Sequence, residues 1–214
     1  MKTVIGIISY LPDDSSIREH RLKTLKKLID SCNSLFNIDI LIVLQNYNDE
    51  EINQLKSKRN VTVSNNYNKL GITGARKKLR ELFLASKYDN LVMLDDDCTV
   101  FGDRDSANNY LKQIEDNPNK FYLFNSSLLK LFAISKTIFS QVDFDDVSPE
   151  LEEGFEDRIF VDKLKKLFPE NAYTFMKGRL DEYSISTADP YSTWYKDQDI
   201  DLMLKRTKDK ISKN

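Results

Sequence analysis

The segment Leu91-Val92-Met93-Leu94-Asp95-Asp96-Asp97 constrains the fold of this chain more than any other. Four apolar residues run straight into three adjacent carboxylates. The apolar run has strand length, and a continuous run of this kind suits a strand covered on both faces. Three neighbouring carboxylates repel one another and cost stability unless something compensates them. A divalent cation is one such compensator. In an extended segment residues i and i+2 point the same way, so Asp95 and Asp97 can converge on one ion or on its waters. A solvated acidic turn is the competing reading. Position favours a site, because ligands of α/β sheets sit beyond the carboxyl ends of the strands.

The rest of the first half alternates in the same style. Thr3 to Ser9 reads as a buried strand, β-branched and bounded by turn residues. Ser16-Ile17-Arg18-Glu19 has the pattern of a capping box, and Leu22, Leu25, Leu28 and Ile29 follow at helical spacing. Ile38 to Leu44 predicts a second strand and Asn48 to Lys58 a short helix capped by Asn48. Val61-Thr62-Val63 predicts a third strand. A helix is expected from about Thr73 to Lys87, with Ala75, Leu79, Leu82 and Phe83 on one face. Strand–helix–strand alternation predicts an α/β fold: a mostly parallel central sheet flanked by helices.

The second half is less regular. Residues 121–124 and 131–134 read as strands, antiparallel to each other or to an edge. Residues 143–153 read as an acidic loop. A helix is expected from Glu156, burying Phe160, Leu164, Leu167 and Phe168, and another from Ser192 to Lys210. No internal repeat or domain boundary appears. The expected organisation is a catalytic core over residues 1–170 and a small helical cap over 171–214, within one domain.

Composition narrows the chemistry. A 40% apolar and 31% charged chain of 214 residues suits one soluble α/β domain. No apolar run reaches the length of a membrane span, and the N-terminus lacks the pattern of a signal peptide, so a cytoplasmic location is expected. Cys32 and Cys98 stand in no metal-type spacing, and His20 is the single histidine. Any metal must therefore be held mainly by oxygen, which points to Mg²⁺ or Mn²⁺. The net charge of −2 carries no nucleic-acid signal, and the basic clusters at 18–27, 76–80 and 205–213 read first as solvated helix faces.

Two further segments can carry chemistry. Asn68 to Arg76 links the third strand to a helix. Gly71 and Gly74 allow close approach of a ligand, the helix N-terminus favours anions, and Arg76 can clamp a phosphate. The segment matches neither a P-loop nor a dinucleotide fingerprint, and an ordinary loop with an exposed Arg fits it too. Gly154-Phe155-Glu156-Asp157-Arg158 opens a helix. Its acids suit the helix dipole, or one of them serves as a general base.

Taken in order, these motifs resemble the family 2 glycosyltransferases of the GT-A fold, the nucleotide-diphospho-sugar transferase fold. The resemblance covers roughly residues 3 to 168. It rests on Asn-x-x-Gly-x-x-x-Ala-Arg before a helix, Asp-x-Asp after a strand, two more strands, and Gly-x-Glu-Asp at a helix start. Phe132 to Lys136 and Val142 to Asp145 also look like the family's stretch before its Glu-Asp pair. The resemblance implies a hexosyltransferase-like enzyme that moves a sugar from a nucleotide-diphosphate donor, with a UDP-sugar expected. Asp95 and Asp97 would hold Mn²⁺ or Mg²⁺ against the donor diphosphate, with Asp96 also on the donor. Gly71 and Arg76 would sit by the nucleotide and its phosphates, and Ser9 and Tyr10 by the nucleobase or ribose. Asp157 would be the base of an inverting displacement, with Glu156 supporting it or contacting the acceptor.

The chain also departs from the family. Where many members carry an acid after the second strand, it has Gln45-Asn46, with Asp49 further on. The late metal-binding histidine of many GT-A enzymes is missing, so the third protein ligand is absent or is an acid such as Asp181 or Asp189. The acceptor-side Gln-x-x-Arg-Trp segment is replaced by Ser192-Thr193-Trp194-Tyr195. The acceptor stays open: a glycan, a protein or a modified nucleic-acid base. Two other functions compete. A nucleotidyltransferase would begin with a glycine-rich loop, but Ser9 to Asp14 has no glycine. A non-catalytic nucleotide-sugar or glycan-binding module would be suggested by loss of Asp97 or Asp157, and both are present.

Overall fold

The computed structural model describes residues 1–96, 104–123, 131–145, 155–169 and 173–175. The chain runs β1 (Thr3–Tyr10), α1 (Ser15–Leu35), β2 (Ile40–Gln45), α2 (Asp49–Lys56), β3 (Val61–Asn66), α3 (Gly71–Ala85) and β4 (Asn90–Asp95). There follow α4 (Arg104–Asp116), β5 (Phe121–Leu123), β6 (Leu131–Ser135), α5 (Lys136–Phe139), α6 (Phe155–Leu167) and β7 (Tyr173–Phe175). The strands form one seven-stranded sheet in the order β3-β2-β1-β4-β6-β5-β7. β1 to β4 are mutually parallel where they pair, β6 runs antiparallel to both β4 and β5, and β5 pairs parallel with β7.

Strand alternation sorts the side chains into two cores. Ile5 and Ile7, Ile42 and Leu44, and Val92 and Leu94 pack under α1, α2 and α4 with Leu25, Leu28, Ile52, Leu55 and Leu111. Val4 and Ile8, Leu41 and Val43, and Leu91 and Met93 pack on the opposite face with Leu79 and Phe83 of α3 and Phe160 of α6. The period of two in a strand requires this split. Each buried Leu, Ile or Phe contributes about 1.5–3 kcal/mol, so both faces of β1, β2 and β4 are strongly held. At the α5–α6 end the second core is aromatic, with Phe144 stacked on Phe160 at 4.2 Å between centroids. Gly6 lets α3 close onto β1: a Cβ there would stand 2.7 Å from Leu91 Cδ1 and 2.8 Å from Leu79 Cδ2.

Several sequence expectations need correction. Helix α1 begins at Ser15, and its cap is Asp14, whose Oδ1 accepts the Ile17 N–H at 3.1 Å, rather than Ser16. Asp14 and Ser16 are both cap formers, and the chain turns at the earlier one. Helix α4 has no counterpart in the sequence reading. In α6 the buried face is Asp157, Phe160, Val161 and Leu164, while Leu167 is 55% exposed. The expected cap of Asn48 on α2 is present and is a full capping box with Glu51. The helix expected over 192–210, with Trp194, lies outside the described residues, as do Asp181 and Asp189.

Candidate active site

The order of strands reverses between β1 and β4: the chain winds outward through β2 and β3, then returns to the other side of β1. In open α/β sheets the crevice outside the carboxyl ends at such a switch point is where ligands bind. Ser9 and Tyr10 end β1 there, and Asp95 ends β4, paired in register with Ile8.

Alternation separates the two described aspartates. Asp95 shares the α3 face with Leu91 and Met93, and Asp96 turns to the α1 face. On the α3 side stands Arg76, only 2% exposed. Its Nη1 donates to Asp157 Oδ1, and its Nη2 lies 3.5 Å from Asp95 Oδ1. Asp157 is itself 3% exposed, in the first turn of α6, where the helix dipole favours a carboxylate. One guanidinium therefore ties the end of β4 to the start of α6.

On the α1 side the Ser9 hydroxyl donates to Asp96 Oδ2. Ser9 Oγ also lies 2.5 Å from the Tyr47 hydroxyl. Because the Ser9 proton goes to the carboxylate, Tyr47 donates to Ser9. Burial pushes the Tyr47 phenol up, with the nearby Asp96 charge adding to it, so the hydroxyl stays a donor.

The loop before α3 shapes the neighbouring ground. Gln45 Oε1 accepts the Leu70 N–H at 2.7 Å, and Gly71 adopts a left-handed φ of 72°. Lys69 Nζ lies 5.0 Å over the Tyr10 ring. Among the described residues no side chain caps the first turn of α3, and Thr73 Oγ1 in that turn and Asn66 Nδ2 at the end of β3 are buried without a hydrogen bond. Buried polar atoms of this kind are rare in proteins and call for a partner. Beside them, Arg18, Asn46, Tyr47, Asn48, Asp49 and Tyr67 line a cleft of about 330 Å³. Arg18 braces its wall. The guanidinium donates to Glu51 twice, at 2.7 and 2.5 Å, and to the Asn46 carbonyl at 2.8 Å.

Of the expected site residues, Arg76, Asp95 and Asp157 come together on the α3 face and Ser9 and Asp96 on the α1 face, and Tyr10 and Gly71 stand at the adjoining loop. Asp97 lies outside the described residues, and of Glu156 only the backbone is described. Arg76 was expected by donor phosphates; its guanidinium contacts carboxylates. Tyr47, Gln45 and Lys69 were not assigned to the site. The only sequence sign of Tyr47 was an aromatic residue in a polar turn just after an apolar strand.

No protein-family model matches this sequence, and no curated protein matches it. Solved structures do match. S. aureus TarS aligns with a TM-score of 0.62 at 13% identity, over 86% of this chain and 36% of TarS. Its 1–349 form in complex with UDP-GlcNAc aligns at 0.57 and 12%, over 83% of this chain and 59% of that one. The mannosyltransferase PcManGT from Pyrobaculum calidifontis, in complex with GDP-Man and Mn²⁺, aligns at 0.57 and 11%, over 81% and 56%. A Bacillus anthracis protein described as a glucose-1-phosphate thymidylyltransferase aligns at 0.53 and 12%, over 82% and 87%. The chain thus spans between about a third and three-fifths of TarS and the mannosyltransferase. At these identities the likeness shows the fold: the chain has the α/β GT-A fold of nucleotide-diphospho-sugar transferases.

Proposed function

We propose that this chain is a metal-dependent glycosyltransferase that moves a sugar from a nucleotide-diphosphate donor to an acceptor hydroxyl. The observation that carries the reading is that Arg76 joins Asp95 to Asp157 beside the Ser9–Asp96 bond, at the switch point of a GT-A sheet. Asp95, whose side chain is 22% exposed, and Asp97 would hold Mn²⁺ or Mg²⁺. An all-oxygen donor set fits such a hard ion. When bound, the ion supplies charge neutralisation for the departing diphosphate. Asp157 accepts the acceptor proton in a single inverting displacement, its orientation fixed by Arg76. Glu156 supports it or contacts the acceptor. Tyr10, Gly71 and the loop over residues 67–70 before α3 take the nucleotide.

A UDP-sugar is the preferred donor, supported by the UDP-GlcNAc complex of TarS; the GDP-Man complex of PcManGT makes a GDP-sugar the comparison. The acceptor is a glycan, a protein or a modified nucleic-acid base. No described helix is long and apolar enough to cross a membrane, which is compatible with work in the cytoplasm. The thymidylyltransferase neighbour supports nucleotidyl transfer as the second reading, against which stands the glycine-free turn from Ser9 to Asp14. A binding module without turnover is the third.

Release of nucleoside diphosphate from UDP-GlcNAc and GDP-Man, followed with and without Mn²⁺, tests the reading. Asp157→Asn is expected to abolish release while donor affinity stays within about threefold, since a base acts in the transition state. Loss of donor affinity instead would reject Asp157 as base. Pyrophosphate release from a nucleoside triphosphate and a sugar phosphate would favour the second reading.

A further inference from the structure

We propose that Tyr47 and Ser9 are positioning residues for Asp96, a buried two-hydroxyl relay that sets affinity for the nucleotide; this rests on the glycosyltransferase reading. Ser9 is 3% exposed and Tyr47 2%. Tyr47 belongs to the same buried core cluster as Leu44, Ile52 and Leu55, so the hydroxyl has a fixed origin. From there the bonds run in one direction. Tyr47 donates to Ser9 across 2.5 Å, and Ser9 donates to Asp96. A serine alone can rotate its hydroxyl; one that already accepts from a buried phenol is committed to its acceptor.

The relay settles where the second carboxylate of the acidic run points. Adjacent like charges are costly on one side of a strand, and the sheet offers each a separate partner. Asp95 goes to Arg76 on the α3 face, and Asp96 goes to Ser9 on the α1 face. The Ser9–Asp96 bond itself bridges β1 and β4 across the switch point, the crevice in which a ligand must lie. Held there, Asp96 presents acceptor oxygens to a hydroxyl-bearing part of the nucleotide sugar. Tyr47 also lines the neighbouring polar cleft, so the same side chain floors one pocket and orients a carboxylate in the next.

The test uses the full chain and calorimetric titration with UDP in the presence of Mn²⁺. Tyr47→Phe removes a single oxygen and keeps the ring. It is expected to weaken UDP binding about three- to tenfold, and Ser9→Ala about ten- to thirtyfold, the scale of hydrogen bonds that orient a charged group. The double variant should be no weaker than Ser9→Ala alone, because both changes break one chain. Ser9→Thr, which keeps the hydroxyl, should recover most of the affinity. In turnover the loss should appear in donor KM more than in kcat. Variants that melt at lower temperature yet bind UDP like the wild type would overturn the relay and leave a packing role. Additive losses in the double variant would also overturn it. A folded wild type that binds no nucleotide would instead overturn the glycosyltransferase reading, and the relay's function with it.

Discussion

Arg76 of α3 and Asp157 of α6 stand 81 residues apart in sequence and form an ion pair that solvent hardly reaches, at 2% and 5% side-chain exposure. Asp95 approaches the same guanidinium. A buried pair offers little net stability over an apolar packing, but breaking it is costly because the surviving charge stays buried. Arg76→Met is therefore expected to cost about 3–5 kcal/mol in urea unfolding. Arg76→Lys should recover only part of this, because an ammonium cannot face two carboxylates as a planar fork does. A loss below about 1 kcal/mol for Arg76→Met would mean the pair does not persist in solution.

Close packing of α3 on β1 depends on Gly6. A methyl group there meets Leu91 and Leu79 below 3 Å, and both belong to the packed core. Gly6→Ala should destabilise by about 1–3 kcal/mol. Because α3 also carries Arg76, the variant should shift the environment of the site, read by tyrosine and amide NMR shifts. An unchanged melting temperature would contradict the packing.

The Arg18–Glu51 pair makes stability depend on pH. Burial pushes the Glu51 carboxyl up, but the hydrogen bonds from Arg18 and from the Asn48 N–H outweigh it, and the net pKa falls below the ordinary 4.5. A depressed folded pKa contributes stability above the unfolded value and loses it as pH falls through the folded one. The free energy of urea unfolding should therefore fall as the pH drops below about 4.5, where Glu51 begins to take up its proton. Glu51→Gln should be less stable at neutral pH and should flatten that part of the profile. An identical slope in wild type and Glu51→Gln would exclude the pair as its source.

Much of the sheet was legible because its strands are continuous apolar runs. Ile40 to Leu44 and Leu91 to Leu94 allow few other readings once a parallel sheet covers both faces. Helix α4 was not legible by eye, since Asp105, Asn108 and Asn109 mask its pattern. Yet Ala107, Tyr110, Leu111 and Ile114, the residues it buries, stand at i, i+3, i+4 and i+7. The N-terminus of α1 was ambiguous for a physical reason: Asp13-Asp14-Ser15-Ser16 offers several side chains able to cap. At the site, the strand-end residues could be named in advance, but their partners could not. Whether Arg76 meets a phosphate or a carboxylate depends on where α6 docks. The Tyr47–Ser9 contact depends on the register that pairs Tyr10 with Gln45, which no local pattern encodes.

The most direct measurement is calorimetric binding of UDP, GDP, CDP and dTDP, each with and without Mn²⁺, to wild type, Asp95→Asn and Asp97→Ala. Tight binding of one diphosphate, dependent on Mn²⁺ and weakened at least about tenfold by either substitution, is the predicted result. Folded wild-type protein that binds none of the four would contradict a nucleotide-sugar site and leave the GT-A fold serving another purpose.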